Sequence, residues 1–322
     1  MDYNPRDEIA RELVPIDVAQ TSRDLTSSAN KYIEIKNKNG VLVPISGGLD
    51  STAVIVGVAH ALRQKGRGLL RLLYMPSNTT ENQTKKRVSD VYIHSREIYP
   101  NTVLREIPIG EELEQDRAYK ESLELQQGYL RNGAKLTGET PMALRVMRQE
   151  FGEEGAKASA FIGKTTRLRG KYALEQSLKN NLALASCGNK TEHELGLFFP
   201  GAVDDIGDFR PIEHLYKTQI RQLHKMMPFP LSIMQRVPTP DIGECAGTDE
   251  EYFGIPYPLL DAVLYREEGG MSRKDIASAI RPFYHLFSDY IRSLRDGNNI
   301  PLEQIIDEVL EMKELARKFK RK

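Results

Sequence analysis

Val41-Leu42-Val43-Pro44-Ile45-Ser46-Gly47-Gly48-Leu49-Asp50-Ser51 decides how this chain folds. A short apolar run ends at a glycine pair, and Ser51 to Lys65 is then mostly apolar and closes at Gly66. Those features predict a strand, a tight loop and a helix in succession. Upstream, residues 15 to 37 carry mixed polar and apolar positions without glycine and predict a helix that ends at the turn signal Asn37-Lys38-Asn39-Gly40. Downstream, Leu69 to Met75 predicts a second strand, Thr80 to Ile98 a polar helix and Val103 to Ile109 a third strand. Strands alternating with helices imply an α/β fold: a doubly wound parallel sheet covered on both faces.

The stretch 111–160 interrupts this rhythm, being rich in Glu, Gln, Lys and Arg without a strand candidate, and is expected to be a helical insertion. The alternation resumes with a helix from about Arg167 to Asn180, a strand at Leu182 to Ala185 and a helix from about Asn189. Beyond Asp261, residues 272 to 295 read as helical. Residues 302 to 319 place Leu302, Ile305, Ile306, Val309, Leu310 and Leu315 on one face, a packing stripe. The expected organisation is a nucleotide-binding domain over 1–262, holding the insertion, and a helical C-terminal extension over 263–322.

Composition narrows the class. In 322 residues, hydrophobic content is 40% and charged content 28%, enough to bury a sizeable core. Lys plus Arg and Asp plus Glu both number 45, so net charge gives no case for nucleic acid or an anionic membrane as partner. No apolar run reaches membrane-spanning length, and Asp7, Glu8 and Glu12 do not suit a signal peptide, so a cytoplasmic protein is expected. Cys187 and Cys245 are too few for a disulfide framework and lack zinc-site spacing; both read as thiols.

Ser46 to Ser51 lies where a strand hands over to a helix, so backbone N–H groups and the helix dipole converge on an anion above the turn. Gly47 and Gly48 let the main chain approach a phosphate; Ser46 and Ser51 add hydroxyls, and Asp50 adds a carboxylate suited to Mg²⁺. The loop lacks both the Gly-Lys-Ser/Thr ending of a Walker A loop and the third glycine of a dinucleotide fingerprint. Read alone it could still be a glycine turn whose serines cap a helix.

Ser-Gly-Gly-x-Asp-Ser after an apolar strand resembles the signature of the PP-loop ATP pyrophosphatases, and four later segments narrow the resemblance to the NAD synthetase family. Arg167-Leu168-Arg169 stands where that family has Arg-x-Arg at the start of a helix, and Ser186 to Glu192 resembles its Gly-Thr-Gly-Asn-Lys-x-Glu. Asp208 to Ile212 with Leu215-Tyr216-Lys217-Thr218-Gln219 resembles its Asp-x-x-Pro and Leu-Tyr-Lys-Thr-Gln. Pro238-Thr239-Pro240-Asp241, with Gly247 to Glu250 and Tyr257 to Asp261, resembles its Pro-Thr-Ala-Asp and Gln-Thr-Asp-Glu region.

The resemblance implies ATP on Ser46, Gly47, Gly48, Leu49, Asp50, Ser51, Cys187, Lys217 and Thr239, Mg²⁺ on Asp50 and Glu192, and substrate on Arg167 and Asp208. Each residue also has an ordinary reading: Glu192 as a helix cap, Lys217 as a solvated lysine, Thr239 and Asp208 as turn residues, Arg169 as an ion-pair residue. The implied reaction joins ammonia to the carboxylate of deamido-NAD through an adenylate, releasing pyrophosphate and AMP, with Asp50 and Lys217 as the catalytic pair. The forty residues before the first strand leave no room for a glutaminase domain, so free ammonia or a separate amidotransferase subunit is the expected nitrogen source. Family members are homodimers, and a homodimer is expected here.

The chain departs from the family pattern in places. Leu197 to Asp205 stands where the family has Phe-Thr-Lys-Tyr-Gly-Asp-Gly, so Pro200 replaces a lysine, and Cys187 replaces a threonine. The C-terminal His-Lys-Arg segment has no convincing match at Arg281 to His285. An amide ligase for a different small carboxylate is therefore the alternative. A non-catalytic ATP-binding module is a third reading, which the retention of Asp50, Glu192 and Lys217 disfavours, since a binder alone would not need two carboxylates for metal.

Overall fold

The structure, a computed structural model, describes residues 5–131, 140–197, 199–236 and 248–320. Helices α1 (Pro5–Leu13) and α2 (Val18–Ile35) precede β1 (Gly40–Pro44), α3 (Leu49–Lys65), β2 (Leu69–Tyr74), α4 (Asn82–Ile98) and β3 (Thr102–Glu106). Four helices follow: α5 (Gly110–Gln115), α6 (Arg117–Arg131), α7 (Met142–Met147) and α8 (Gly152–Asn180). After β4 (Ala183–Leu184) come α9 (Lys190–Leu195), α10 (Lys217–Gln222) and α11 (Leu231–Met234). The chain continues through α12 (Asp249–Phe253), α13 (Tyr257–Glu268), α14 (Arg273–Tyr284), α15 (Ser288–Leu294) and α16 (Leu302–Lys320).

The four strands form a parallel sheet in the order β3-β2-β1-β4. Alternation along each strand divides the core between its two faces. Val41 and Val43 of β1, Leu70 and Leu72 of β2, and Ala183 with Ala185 at β4 pack under α2, α3 and α4. Leu42, Leu73 and Leu184 point the other way, toward Ile109, Tyr119, Phe161 and Ala173. The doubly wound sheet read from the sequence is therefore present. The apolar sequence of α3 follows from its place in the middle of a core layer, where Val54, Ile55, Val56 and Val58 are all fully buried.

Two expectations change. The helix read from Arg167 begins at Gly152 and runs unbroken to Asn180, so no boundary separates it from the end of the 111–160 segment, and Arg167 sits mid-helix rather than at a helix start. The helix ends where Asn181 takes a left-handed conformation (φ 50°). The stretch 272–295 is split in two. Pro282 cannot donate to the helical ladder, and Leu286 and Phe287 close with i→i−3 bonds to Phe283 and Tyr284 before α15 starts.

A further core joins Leu13 and Val14, Ala143 and Leu144, Phe253 and Ile255, and α13 to α16; Ile305, Ile306 and Val309 of the predicted stripe are buried in it. Helix α13 runs continuously across residues 262 and 263, and this core draws on residues from both sides of that division. Among the described residues, no helix is long and apolar enough to cross a membrane.

Candidate active site

β1 and β4 are parallel neighbours, Val41 opposite Ala183 and Leu42 opposite Leu184, so the helices that follow them start at the same edge of the sheet. That edge is where ligands of open α/β sheets bind. Gly47 turns the chain with φ +65°, and a Cβ there would lie 3.1 Å from Cβ of Arg87. Gly48 is the N-cap of α3. The loop is braced from within: Ser46 Oγ accepts from Gly48 N at 3.3 Å and lies 3.2 Å from Ser51 Oγ, while Thr52 Oγ1 donates to the Gly48 carbonyl at 2.7 Å. Leu49 packs against the core, and Asp50 follows in the first turn of α3.

Lys217, at the start of α10, is largely buried, and its ammonium pairs with Asp50 Oδ2. The same Nζ lies 3.9 Å from Glu192 Oε1 and 5.8 Å from the ring centroid of Tyr257. Glu192 serves two purposes. Its Oε2 accepts from Asn189 N at 3.3 Å and Asn189 Oδ1 accepts from Glu192 N at 3.0 Å, a capping box on α9. Its other oxygen faces Lys217. The helix-cap reading of this residue therefore holds, with its second oxygen left toward Lys217.

Electrostatics here are those of a crowded, desolvated acidic pocket. Burial, and then the neighbouring Asp50 carboxylate, push Glu192 well above the usual carboxylate range. The same two causes bring Asp204 up to about 6, held down by Arg169 and Lys217. Burial also raises Asp249, whose Oδ2 accepts from Tyr257 OH at 3.0 Å, and Lys217 opposes that rise. Burial alone would lower Lys217, but Asp50, Glu192 and Asp249 together hold its ammonium above the ordinary lysine value. Lys217 therefore faces several carboxylates at once, with Arg169 acting beside it on Asp204. Among the described residues no group of three or more His, Cys, Asp or Glu side chains is placed to hold a metal ion. Asp50 Oδ1, however, is a buried acceptor without a hydrogen-bond partner, and its carboxylate is close enough to Glu192 to raise that residue's proton affinity.

The other predicted residues lie variously. Cys187 is buried, 3.7 Å from the Pro44 carbonyl, its thiol pushed well up by burial and by Asp204, Asp50 and Glu192. Asp208 Oδ2 accepts from Leu184 N at 2.8 Å and lies beside the Tyr32 hydroxyl, so its contacts in this structure are those of a strand-edge tie. Arg167 Nε donates to the Pro200 carbonyl at 3.2 Å. Thr239, the rest of Pro238 to Asp241, and Cys245 fall outside the described residues.

Asp204, Asp249 and Tyr257 lie in segments that match or depart from the family pattern, yet the sequence attaches no role to them. Arg236, which donates to the Gly47 carbonyl at 3.2 Å, carries no sequence signal, because 189 positions separate the two.

Comparison with known proteins bears on the family and the fold. A family model described as NAD synthase matches residues 107–285, over half of the chain. The NH₃-dependent NAD⁺ synthetase of Thermotoga maritima is 30% identical over 254 residues, covering 76% of this chain and 85% of that protein. The enzyme of the same name from Coprothermobacter proteolyticus is 27% identical over 261 residues, covering 76% and 84%. Among solved structures, an NMN synthetase from Francisella tularensis superposes with a TM-score of 0.58 at 20% identity, covering 86% of this chain and 96% of that one. An NH₃-dependent NAD synthetase from Campylobacter jejuni gives 0.53 at 17%, covering 83% and 93%. At these identities the structural likeness speaks for the fold.

Proposed function

Because this chain belongs to the NAD synthase family of ligases that form a carbon–nitrogen bond, we propose that it amidates deamido-NAD with ammonia, using ATP and releasing AMP and pyrophosphate. The observation that carries this reading is Lys217, paired with Asp50 and facing Glu192 beside the Ser46–Ser51 loop.

A carboxylate is a poor acyl donor because its leaving group would be oxide. Adenylation solves this. A carboxylate oxygen of the substrate bonds to the α-phosphorus of ATP, and the bond from that phosphorus to the bridging oxygen breaks, releasing pyrophosphate. Ammonia then adds to the acyl carbon; the carbon–oxygen bond breaks with AMP as leaving group, and a proton is lost to give the amide.

The loop N–H groups at the start of α3 would hold the departing phosphates. The Lys217 ammonium would offset the charge that builds on them, in a buried pocket where such an interaction is strong. Asp50 Oδ1 and Glu192 are the groups that would hold Mg²⁺. Two carboxylates plus substrate phosphates are an ordinary ligand set for that ion, which when bound would offset the charge of the phosphates. The sequence of steps above needs no protein nucleophile.

A second reading, an amide ligase for a different carboxylate, is favoured by one observation. Where the family pattern has a lysine this chain has Pro200, and the Pro200 carbonyl engages Arg167. Pyrophosphate and AMP release should be followed with ATP, Mg²⁺ and ammonium, with deamido-NAD or with the deamido form of NMN, and NAD detected directly. Release that requires deamido-NAD and yields NAD supports the first reading; release only with the smaller substrate favours the second. We also propose a homodimer. Leu174 and Leu178, one turn apart on α8 and 48% and 67% exposed, give an apolar surface suited to one, and sedimentation tests it.

A further inference from the structure

Asp261, on α13, is completely buried, and the chemistry above makes no use of it. Its Oδ1 accepts from Thr191 Oγ1 at 2.6 Å, and its Oδ2 accepts from Thr218 N at 2.8 Å. Thr191 Oγ1 in turn accepts from Lys217 N at 3.0 Å. A single carboxylate thus joins the first turn of α9, where Glu192 follows Thr191, to the first turn of α10, where Lys217 begins.

The amides of Lys217 and Thr218 are helix-start donors that need acceptors. A helix commonly supplies one from its own N-cap side chain. Tyr216 occupies that position here, and its hydroxyl is instead directed to Glu268 at 3.0 Å. The acceptors come from a different helix 43 positions away, and from Thr191. Burying a carboxylate is unfavourable unless its oxygens are well hydrogen-bonded, and burial raises Asp261 to about 6. An exposed Ser or Asn cap would satisfy α10 without that cost. A buried charge adds a fixed separation between two helix starts, one bringing Lys217 to Asp50 and the other placing Glu192 beside Lys217.

We propose that Asp261 is a positioning residue: through Thr191 and the backbone of Lys217 and Thr218 it holds Glu192 and the Lys217 ammonium at the spacing needed to engage ATP phosphates together. This rests on the reading of Lys217 and Glu192 given above, but not on which carboxylate is amidated. The test is ATP affinity by calorimetry in saturating Mg²⁺, which needs no carboxylate substrate, with turnover measured in parallel.

Asp261→Asn weakens one acceptor of the chain, and Thr191→Val removes the hydroxyl while nearly preserving shape. Each is expected to weaken ATP binding about tenfold or more, the scale of one hydrogen bond to a charged group. Val263→Ala, at a fully buried position on the same helix, is the control for loss of stability alone. It should bind ATP as the unaltered chain does. ATP affinity within about twofold of the unaltered chain in a folded Asp261→Asn or Thr191→Val variant overturns the proposal, about 0.4 kcal/mol being too little for a lost charged hydrogen bond. An equal loss in Val263→Ala overturns it too. ATP binding without NAD formation counts against deamido-NAD as substrate and leaves this inference to the affinities; failure to bind ATP overturns both.

Discussion

Arg167 Nε donates to the carbonyl oxygen of Pro200 at 3.2 Å, and its guanidinium lies 5.8 Å from the centroid of the Phe199 ring. The cation that the family resemblance assigns to substrate is therefore in contact with the segment that has lost the family's lysine. Arg167→Ala is expected to raise KM for the carboxylate substrate about tenfold or more, the value of one charge-assisted contact, with KM for ATP little changed. Steady-state kinetics with each substrate varied would show this. An unaltered carboxylate KM would leave Arg167 as a tether for the loop.

Asp50→Asn keeps the shape of the side chain and removes its charge beside Lys217. Pyrophosphate release should fall by about a hundredfold or more, the usual scale for removing a group that acts on transition-state charge, while the circular dichroism spectrum stays that of the unaltered protein. Turnover close to wild type would remove Asp50 from any role in holding Mg²⁺.

Lys217→Met leaves the Asp50 and Glu192 carboxylates without their cation. Breaking a buried pair from one side costs about 3 to 5 kcal/mol, so urea denaturation should show a marked loss of stability. Adding Asp50→Asn removes one of the stranded charges and should recover part of it without restoring turnover. If the double variant were no more stable than Lys217→Met, the pair would not be the source of the cost.

Burial raises the Asp261 carboxyl from its ordinary 3.8 to about 6, so in that interval the folded state holds a proton that the unfolded state has released. Its contribution to stability is therefore fully present below the unfolded value and is lost as pH rises through about 6. A rise of that size corresponds to roughly 3 kcal/mol at most. Asp261→Asn lacks this titration. The stability difference, variant minus wild type, should rise in the variant's favour between about pH 4 and pH 7, the interval that linkage assigns to this carboxyl. Urea midpoints across that interval check the slope, and a flat difference would contradict the raised proton affinity.

Cys187 combines burial with a thiol pushed well above its ordinary value. It should resist alkylation at mildly alkaline pH in the native chain and react once the chain is unfolded. Mass spectrometry of the labelled peptide distinguishes the two, and Cys187→Ala should retain turnover, since no step of the proposed reaction uses sulfur.

The strand, loop and helix around Ser46 to Ser51 are legible in the sequence because their causes are local. An apolar run, two glycines and a second apolar stretch fix the backbone over short distances, and the order of the later motifs points to the family. The start of α8 is harder to read, because polar residues on a half-exposed helix carry weak periodicity. The Arg-x-Arg pattern suggests a helix start at Arg167, whereas the helix begins at Gly152.

What the sequence by itself determined is therefore the set of chemical groups: a glycine loop between a strand and a helix, a carboxylate at Asp50, a second at Glu192 and a lysine at 217. What only the tertiary structure decided is that they meet. Lys217 is 167 positions from Asp50; parallel pairing of β1 and β4 opens α3 and α9 at one edge of the sheet, and the Lys217 N–H bond to Thr191 Oγ1 sets the start of α10 beside them. The same folding buries Asp204, Asp249 and Asp261, groups whose charge is ordinary in water and whose proton affinity changes once solvent is excluded. Local periodicity carries no record of which distant helix ends will share a pocket, or how dry that pocket will be.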